Sequence, residues 1–169
     1  RDRWKILIVD DEADVHSVTT YMIKGMDYQG RGFEFFHAFS GHEAKQILSE
    51  HHDIAVILLD VVMETDDSGL QLVRYIREDL GNRTVRIVLR TGQPGYAPET
   101  QAIRDYDIND YKTKSELTHT RLYTTLTVAI RSYEQICAIN ASRRGLELIV
   151  RASGELMELR GLQNFAAGV

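Results

Sequence analysis

Asp60 follows six apolar residues, Ile54 to Leu59, and its position suits covalent chemistry. A short run that is rich in branched side chains predicts a strand covered on both faces, as in the middle of a parallel sheet. Ligands of open α/β folds bind outside the carboxyl ends of such strands. A carboxylate in that place can attack phosphorus and form an aspartyl phosphate. The sequence therefore predicts that Asp60 is a phosphoacceptor.

Asp10 and Asp11 come directly after another short apolar run, Lys5–Val9. If that strand lies beside the Asp60 strand, three carboxylates meet in one pocket and repel one another, and burying them unpaired is costly. Any one of them alone would be an ordinary cap or turn residue. Together they suit Mg²⁺, which prefers one or two carboxylates plus waters and phosphate oxygens. We therefore expect a Mg²⁺ site at these residues.

Thr91 and Lys114 stand at the ends of the fourth and fifth predicted strands. Phosphoryl transfer depends mainly on positioning and on charge neutralisation. A threonine hydroxyl can donate to a phosphoryl oxygen, and a lysine can supply a cation. Either residue alone would be an ordinary surface residue, so this prediction depends on the whole set.

These residues need a scaffold, and the chain alternates strand and helix patterns five times. Such alternation implies a parallel sheet with helices on both faces and right-handed crossovers. We predict an α/β fold, a doubly wound five-stranded parallel sheet of the flavodoxin-like order 2-1-3-4-5 with a C-terminal helical extension. The predicted strands are Lys5–Val9, Phe33–Phe39, Ile54–Leu59, Val85–Leu89 and Ile108–Thr113, and helices are predicted near Asp14, Ser40, Gly69, residue 99 and Glu116.

The chain beyond about residue 126 shows no strand pattern. Apolar residues there approach a heptad spacing with one polar residue on the seam: Leu126, Ala129, Tyr133, Ile136 and Asn140. Such a seam pairs helices, and a polar seam residue can set their register. We predict an exposed helix that pairs the chain into a homodimer, with Gly145 interrupting it. The alternative is a helix that packs on its own domain.

Composition limits the possible function classes. The net charge of -5 gives no indication of the positively charged surface that binds nucleic acid. No run approaches the ~20 apolar residues of a transmembrane helix. The single cysteine, Cys137, cannot form an internal disulfide, which fits a reducing cytoplasm. We expect a cytoplasmic protein without a membrane or nucleic-acid partner.

The ordered set Asp10-Asp11, Asp60, Thr91 and Lys114 resembles the receiver domain of two-component response regulators over residues 4 to about 128. The resemblance implies that Asp60 takes a phosphoryl group from a histidine kinase or phosphotransfer protein. It also implies that Asp11 and Asp60 bind Mg²⁺ directly, that Asp10 helps through water, and that Thr91 and Lys114 contact the phosphoryl group.

Further positions follow from the same resemblance. The backbone carbonyl of Val62 would complete the metal ligands, and Tyr111 would change orientation with Thr91 on activation. Lys112 is a rival for the lysine role, but the surrounding sequence aligns better with Lys114. The implied domains are a receiver over residues 1–128 and, over 129–169, a helical linker with the start of a following signalling domain.

Two further runs indicate one subfamily of receivers, and they are Leu89–Gly95 and Tyr106–Tyr111. They look like receivers that precede an uncharacterised signalling domain and often an HD-GYP cyclic di-GMP phosphodiesterase. Asn164–Val169 resembles the opening of that following domain. No HD or GYP motif occurs in these residues. The resemblance thus implies that this chain is not itself an enzyme and that its output, cyclic di-GMP turnover, belongs to a longer parent protein.

The sequence departs from the receiver pattern in two loops. Ser115 stands where the family usually has proline after a cis peptide bond, and Glu64–Gly69 is one residue longer than usual. These changes leave open a phosphorylation-independent module for protein binding or dimerisation. A Mg²⁺-dependent phosphatase is a further alternative, but it needs an acid/base two residues after Asp60, where Val62 cannot serve.

Overall fold

The computed structural model describes residues 3–65, 67–92, 100–114 and 118–168. Strands and helices alternate along the chain as the hydrophobic pattern predicts. In chain order the elements are β1 (Trp4–Val9), α1 (Ala13–Met22), β2 (Asp27–Tyr28), β3 (Arg31–Ala38), α2 (Gly41–Glu50), β4 (Val56–Asp60), α3 (Ser68–Arg74, continued by a π-helical turn at Tyr75–Asp79), β5 (Arg86–Thr91), α4 (Thr100–Asp105), β6 (Asp110–Thr113) and α5 (His119–Ala167).

Five strands form a parallel sheet in the order β3-β1-β4-β5-β6. Counted without β2, this is the predicted order 2-1-3-4-5, so the predicted fold class is confirmed. The sequence analysis predicted no strand at β2, which pairs antiparallel with β3. Gln29 and Gly30 both have positive φ, at 55° and 72°. Two consecutive positive φ values are typical of the tight turns that join hairpin strands.

The sheet is buried on both faces, which explains why β1 and β4 are almost wholly apolar. Successive side chains of a strand point to opposite faces. One face packs against α2 and α3, and the other packs against α5 and the end of α1. The first core contains Leu7, Ile57, Leu59, Ile87 and Leu89; the second contains Ile6, Ile8, Val56, Leu58 and Val88.

Helix α2 begins at the predicted residue because its N-terminus carries a capping box. Ser40 Oγ accepts from the Glu43 N–H at 3.2 Å, and Glu43 Oε2 accepts from the Phe39 N–H at 2.8 Å. The first bond satisfies a backbone donor that the first turn of a helix leaves free, and the second ties the residue before the N-cap to that turn. The start of α2 is therefore encoded locally.

We expect Ser40→Ala to lower the free energy of unfolding by about 1 kcal/mol, because the Glu43 N–H loses its acceptor. Urea unfolding followed by circular dichroism measures the change. Ser49→Ala is the matched control, because Ser49 Oγ only donates to the Gln46 carbonyl on the exposed surface of the same helix. Equal losses in the two variants would contradict a capping role for Ser40.

Helix α5 differs from its prediction in two ways. It is continuous through Gly145, so the expected interruption is wrong. Leu126 and Ala129 are buried in the core beneath the sheet, and Tyr133 packs against that core. These three seam positions thus face the chain's own domain, because an open sheet needs a helix over each apolar face. The predicted start near Glu116 lies outside the described residues.

The chain divides into two compact units, residues 1–133 and 134–169. The second unit is helical, and its described residues keep many large apolar side chains exposed. They include Ile139, Leu146, Ile149, Leu156, Met157, Leu159, Leu162 and Phe165. Across the described ranges, no helix has both the length and the apolarity needed to cross a bilayer.

Candidate functional site

Three of the predicted site residues meet at the carboxyl ends of the parallel strands. Asp10 follows β1, Asp60 ends β4, and Lys114 follows β6. Lys114 Nζ lies 3.1 Å from Asp10 Oδ2 and 3.4 Å from Asp60 Oδ2. The contact with Asp10 is ionic, because Oδ2 has no aligned hydrogen-bond donor among the described residues. One ammonium group therefore links the two buried carboxylates.

The environment of Asp60 disfavours its charge. Burial and the neighbouring charge of Asp10 raise the pKa of Asp60 from 3.8 to about 6, and Lys114 and the Val62 N–H only partly oppose this. Burial tends to lower the pKa of Lys114, but its hydrogen bond to Glu12 and the charges of Asp10 and Asp60 outweigh burial and raise that pKa. The site thus keeps Lys114 protonated beside Asp60, whose negative charge is only partly compensated.

The acids after β1 form a cluster of oxygen ligands. One carboxylate oxygen each from Asp10, Asp11 and Glu12 lies within 4.8 Å of the others. Asp10 is buried, whereas Asp11 and Glu12 are exposed. A donor set made only of carboxylate oxygens fits a hard divalent cation such as Mg²⁺. The carboxylates of Asp10 and Asp11, which were predicted to bind the metal, therefore lie close together. The ammonium group of Lys114 lies between the carboxylates of Asp10 and Asp60.

Sequence analysis assigned no role to Glu12, which is the closest acid to the lysine. Glu12 Oε1 lies 2.8 Å from Lys114 Nζ, and the bond lowers the pKa of Glu12. The Glu12 N–H donates to Asp10 Oδ1 at 2.9 Å. The signal for this role was present, because Glu12 extends the acidic run at the end of β1.

The remaining predicted residues lie near the same sheet edge. Thr91 is fully buried at the end of β5. The Val62 N–H donates to Asp60 Oδ1 at 3.4 Å, and the predicted ligand role of its carbonyl stays a prediction. Tyr111 belongs to β6, but its side chain lies outside the described residues. Lys112 pairs with Asp110 at 3.7 Å, so Lys114 is the lysine beside Asp60.

Of the two altered loops, the one that contains Glu64 is among the described residues except for residue 66, whereas residues 115–117 are not. In the longer loop, Glu64 Oε1 accepts from the Gly41 N–H at 2.9 Å, so the carboxylate binds the first turn of α2. Such a contact complements the helix dipole. The peptide bond before Ser115 lies outside the described residues.

A histidine pair lies directly beneath the acidic end of β1. His16 Nε2 donates to the Asp10 carbonyl at 2.7 Å, and its Nδ1 lies 2.9 Å from Nδ1 of His37. His16 is buried. The pKa of His37 is lowered by the burial of His37 itself and by the charge of the neighbouring His16. This contact joins α1 to β3 across the fold, so no local pattern of residues points to it.

Two family descriptions match the chain. The response regulator receiver domain matches residues 6–127, and a domain of unknown function, DUF3369, matches residues 126–169. The first match covers more than half of the chain. The two ranges meet within α5.

Two curated relatives and one solved structure are similar over large parts of the chain. The 3'3'-cGAMP-specific phosphodiesterase 2 of Vibrio cholerae is 44% identical over 169 residues, all of this chain and 32% of that protein. The aerobic respiration control protein ArcA of Escherichia coli is 32% identical over 109 residues, 64% of this chain and 41% of that protein. The chain thus spans less than half the length of these relatives.

The solved structure is the N-terminal domain of a response regulator/sensory box/GGDEF three-domain protein from Carboxydothermus hydrogenoformans. It superposes with a TM-score of 0.62 at 25% identity, covering 79% of this chain and 98% of that one. The fold described above therefore has a solved counterpart.

Proposed function

Because the chain belongs to the response regulator receiver family and continues into DUF3369, we propose that it is a phosphorylation-dependent signalling switch whose phosphoacceptor is Asp60. The observation that carries the proposal is the contact of Lys114 with both Asp10 and Asp60. A buried carboxylate beside a fixed cation, at the carboxyl end of a central strand, is suited to holding a transferred phosphoryl group.

In the proposed reaction, a carboxylate oxygen of Asp60 forms a bond to phosphorus as the phosphorus–nitrogen bond of a phosphohistidine breaks. The electron pair of that bond returns to the imidazole nitrogen of the histidine kinase or phosphotransfer protein, and that nitrogen then takes a proton. Lys114 and the Thr91 hydroxyl contact phosphoryl oxygens and offset their charge. Holding these groups in place is the main requirement of phosphoryl transfer.

Mg²⁺ is the proposed cofactor, because the acids form a set of hard oxygen ligands. Asp10, Asp11, Asp60 and the Val62 carbonyl would hold it, and when bound it would neutralise charge on the phosphoryl oxygens. Lys114 holds Asp10 and Asp60 together before any phosphoryl donor arrives. Removing Mg²⁺ should therefore stop phosphorylation without unfolding the chain.

Thr91 and Tyr111 are the proposed switch residues. A phosphoryl group can shift a conformational equilibrium only by binding one state better than the other. Contact with the Thr91 hydroxyl would supply that difference, and Tyr111 would follow on the neighbouring strand β6. Helix α5, which packs on the same domain through Leu126 and Ala129, would carry the change onward.

The proposed domains are a receiver over residues 1–128 and a helical linker over 129–169 that opens the following signalling domain. The exposed apolar side chains of residues 134–168 support pairing of two copies through this helix. We further propose a cytoplasmic location and, in a longer parent protein, an output that hydrolyses a cyclic dinucleotide. The relative from Vibrio cholerae, a phosphodiesterase by name, supports that last step.

Mass spectrometry after incubation with acetyl phosphate and Mg²⁺ tests the phosphoacceptor. We expect the mass of one phosphoryl group on the wild type, none on Asp60→Asn, and none when Mg²⁺ is chelated. Asp53→Asn is the matched control, because Asp53 lies on the surface paired with Lys5 and should leave labelling intact.

Labelling that persists in Asp60→Asn would contradict the assignment. A folded wild type that takes no label would instead favour the phosphorylation-independent binding module. Light scattering on the same samples would then show whether dimerisation occurs without a phosphoryl group.

A further inference from the structure

The peptide group between Asp10 and Asp11 joins two of the predicted metal ligands. It follows the end of β1 and precedes the start of α1, so neither a strand nor a helix contains it. Its carbonyl oxygen accepts from Nε2 of His16 at 2.7 Å. Because a peptide group is planar, this bond orients the Cα atoms of both acids as well as the carbonyl. His16 therefore holds the backbone from which both carboxylates extend.

Two other hydrogen bonds fix different parts of Asp10. The Asp10 N–H donates to the Ala38 carbonyl at 3.1 Å, which holds the peptide group before Asp10. Asp10 Oδ1 accepts from the Glu12 N–H at 2.9 Å, which holds the side chain. The bond from His16 holds the peptide group after Asp10. Loss of that bond would therefore loosen the link from Asp10 to Asp11 without detaching Asp10 from the sheet.

The His16 ring is itself held in place at both of its nitrogens. A carbonyl oxygen can only accept, so Nε2 of His16 carries a proton. Nδ1 of His16 lies 2.9 Å from Nδ1 of His37. Two bare nitrogens or two N–H groups would repel each other at this distance, so one proton lies between them. The Phe39 ring adds an aromatic contact, with its centroid 4.3 Å from that of His16.

We propose that His16, held by His37, is a positioning residue for the Mg²⁺ site, an inference that rests on the proposed function. His16 would not touch the metal, because both of its ring nitrogens are already engaged. It fixes the peptide group that sets how the carboxylates of Asp10 and Asp11 lie relative to each other. Like charges repel, so a loosened peptide group would let the two carboxylates move apart before a cation binds. Groups that orient metal ligands commonly contribute tenfold or more to metal affinity.

Nitrogen-15 NMR of the histidine side chains in the metal-free full chain tests the hydrogen bonds without any metal. We expect a protonated Nε2 on His16 and a scalar coupling between the Nδ1 atoms of His16 and His37 across their shared proton. His37→Leu should abolish that coupling. An unprotonated Nε2 on His16, or no coupling between the two rings, would overturn the proposal.

Calorimetric titration of the full chain with Mg²⁺ measures the positioning effect. We expect His16→Leu to weaken Mg²⁺ binding by roughly 10- to 100-fold. His16→Gln should regain most of the affinity, because its side-chain amide can donate to the same carbonyl. His52→Leu is the matched control and should bind as the wild type does. His52 is exposed and precedes β4, so it lies at the opposite edge of the sheet from the acids.

His37→Leu keeps the test valid if His16→Leu does not fold, because His37 is exposed and its loss leaves the core intact. It removes the partner of His16 Nδ1 and should weaken Mg²⁺ binding by a smaller factor.

Two kinds of failure can be told apart. If the wild type binds Mg²⁺ but the His16 and His37 variants bind it equally well, or if His16→Gln binds no better than His16→Leu, the positioning role is wrong and the proposed phosphoacceptor site stands. A wild type that binds no Mg²⁺ would contradict the proposed cofactor together with this inference.

Discussion

Gly69→Ala should lower the free energy of unfolding by about 3 kcal/mol, although alanine forms helices better than glycine. A Cβ at Gly69 would overlap the Asp60 carbonyl oxygen and lie 2.8 Å from Val61 Cα. Both are backbone atoms at the end of a central strand, and they cannot move aside as a side chain can. Replacing a helical glycine gains only about 1 kcal/mol, so the overlap decides the sign.

The same change should also disturb the phosphoacceptor. The Gly69 N–H donates to the Val61 carbonyl at 3.0 Å, so the start of α3 rests directly on the residues around Asp60. Pushing α3 outward would move that backbone and slow labelling by acetyl phosphate. Urea unfolding and the rate of labelling measure the two effects separately.

Gly41→Ala is the matched control for Gly69→Ala. Gly41 also lies in the first turn of a helix of the same unit, and a Cβ there would meet nothing within 4 Å. We expect unchanged or slightly increased stability, because the helix propensity gain meets no overlap. If Gly69→Ala proved as stable as Gly41→Ala, the close approach of α3 to Asp60 would be wrong.

The metal-free protein should lose stability as the pH rises from about 4 to about 6, and Asp60→Asn should remove most of that loss. The pKa of Asp60 is about 6 in the folded chain, against an ordinary value of 3.8. Between these values the folded chain holds a proton on Asp60 that the unfolded chain has released. The resulting stabilisation is fully present below about pH 4 and is lost as the pH passes about 6.

The two pKa values of Asp60 correspond to a difference on the order of 2–3 kcal/mol at neutral pH. In the absence of metal, Asp60→Asn should therefore be more stable than the wild type at neutral pH by that amount. Urea unfolding in a chelator at several pH values measures the difference. The wild type and the variant should converge below about pH 4, because Asp60 is then protonated in both states.

Asp53→Asn provides a control of opposite sign. The hydrogen bond from Lys5 lowers the pKa of Asp53, so this variant should be slightly less stable than the wild type above about pH 4. The effect should stay below about 1 kcal/mol because the pair is exposed. A wild type and an Asp60→Asn variant with parallel pH profiles would show that Asp60 is not desolvated.

The acidic edge could be predicted because its residues stand next to strongly patterned strands. Asp10 and Asp60 each follow a short apolar run that is typical of a buried parallel strand. In a sheet of the predicted order, the ends of those strands must be neighbours. The order of these residues along the chain therefore predicted that their side chains lie close together. The capping box at Ser40 was equally visible because all its contacts are local.

The covered face of α5 could not be predicted in this way. A stripe of Leu126, Ala129 and Tyr133 is apolar whether it faces a second helix or its own sheet. The choice depends on which surface the sheet leaves uncovered, and here one apolar face needs α5 as its cover. Periodicity identifies an apolar face of a helix but does not identify its partner.

The amino-acid sequence by itself determined the alternation of strands and helices and the acids at the sheet edge, since periodicity and chain order encode both, and the resemblance to receiver domains selected Lys114 over Lys112. Only the tertiary structure decided that Gly69 touches the Asp60 backbone, that His16 meets His37, and that Arg90 is buried against Thr19 of α1. The last two contacts join elements that are distant in the chain, and the first depends on how closely α3 packs against the end of β4. Their energies depend on approach distances and burial, which no local pattern of residues records.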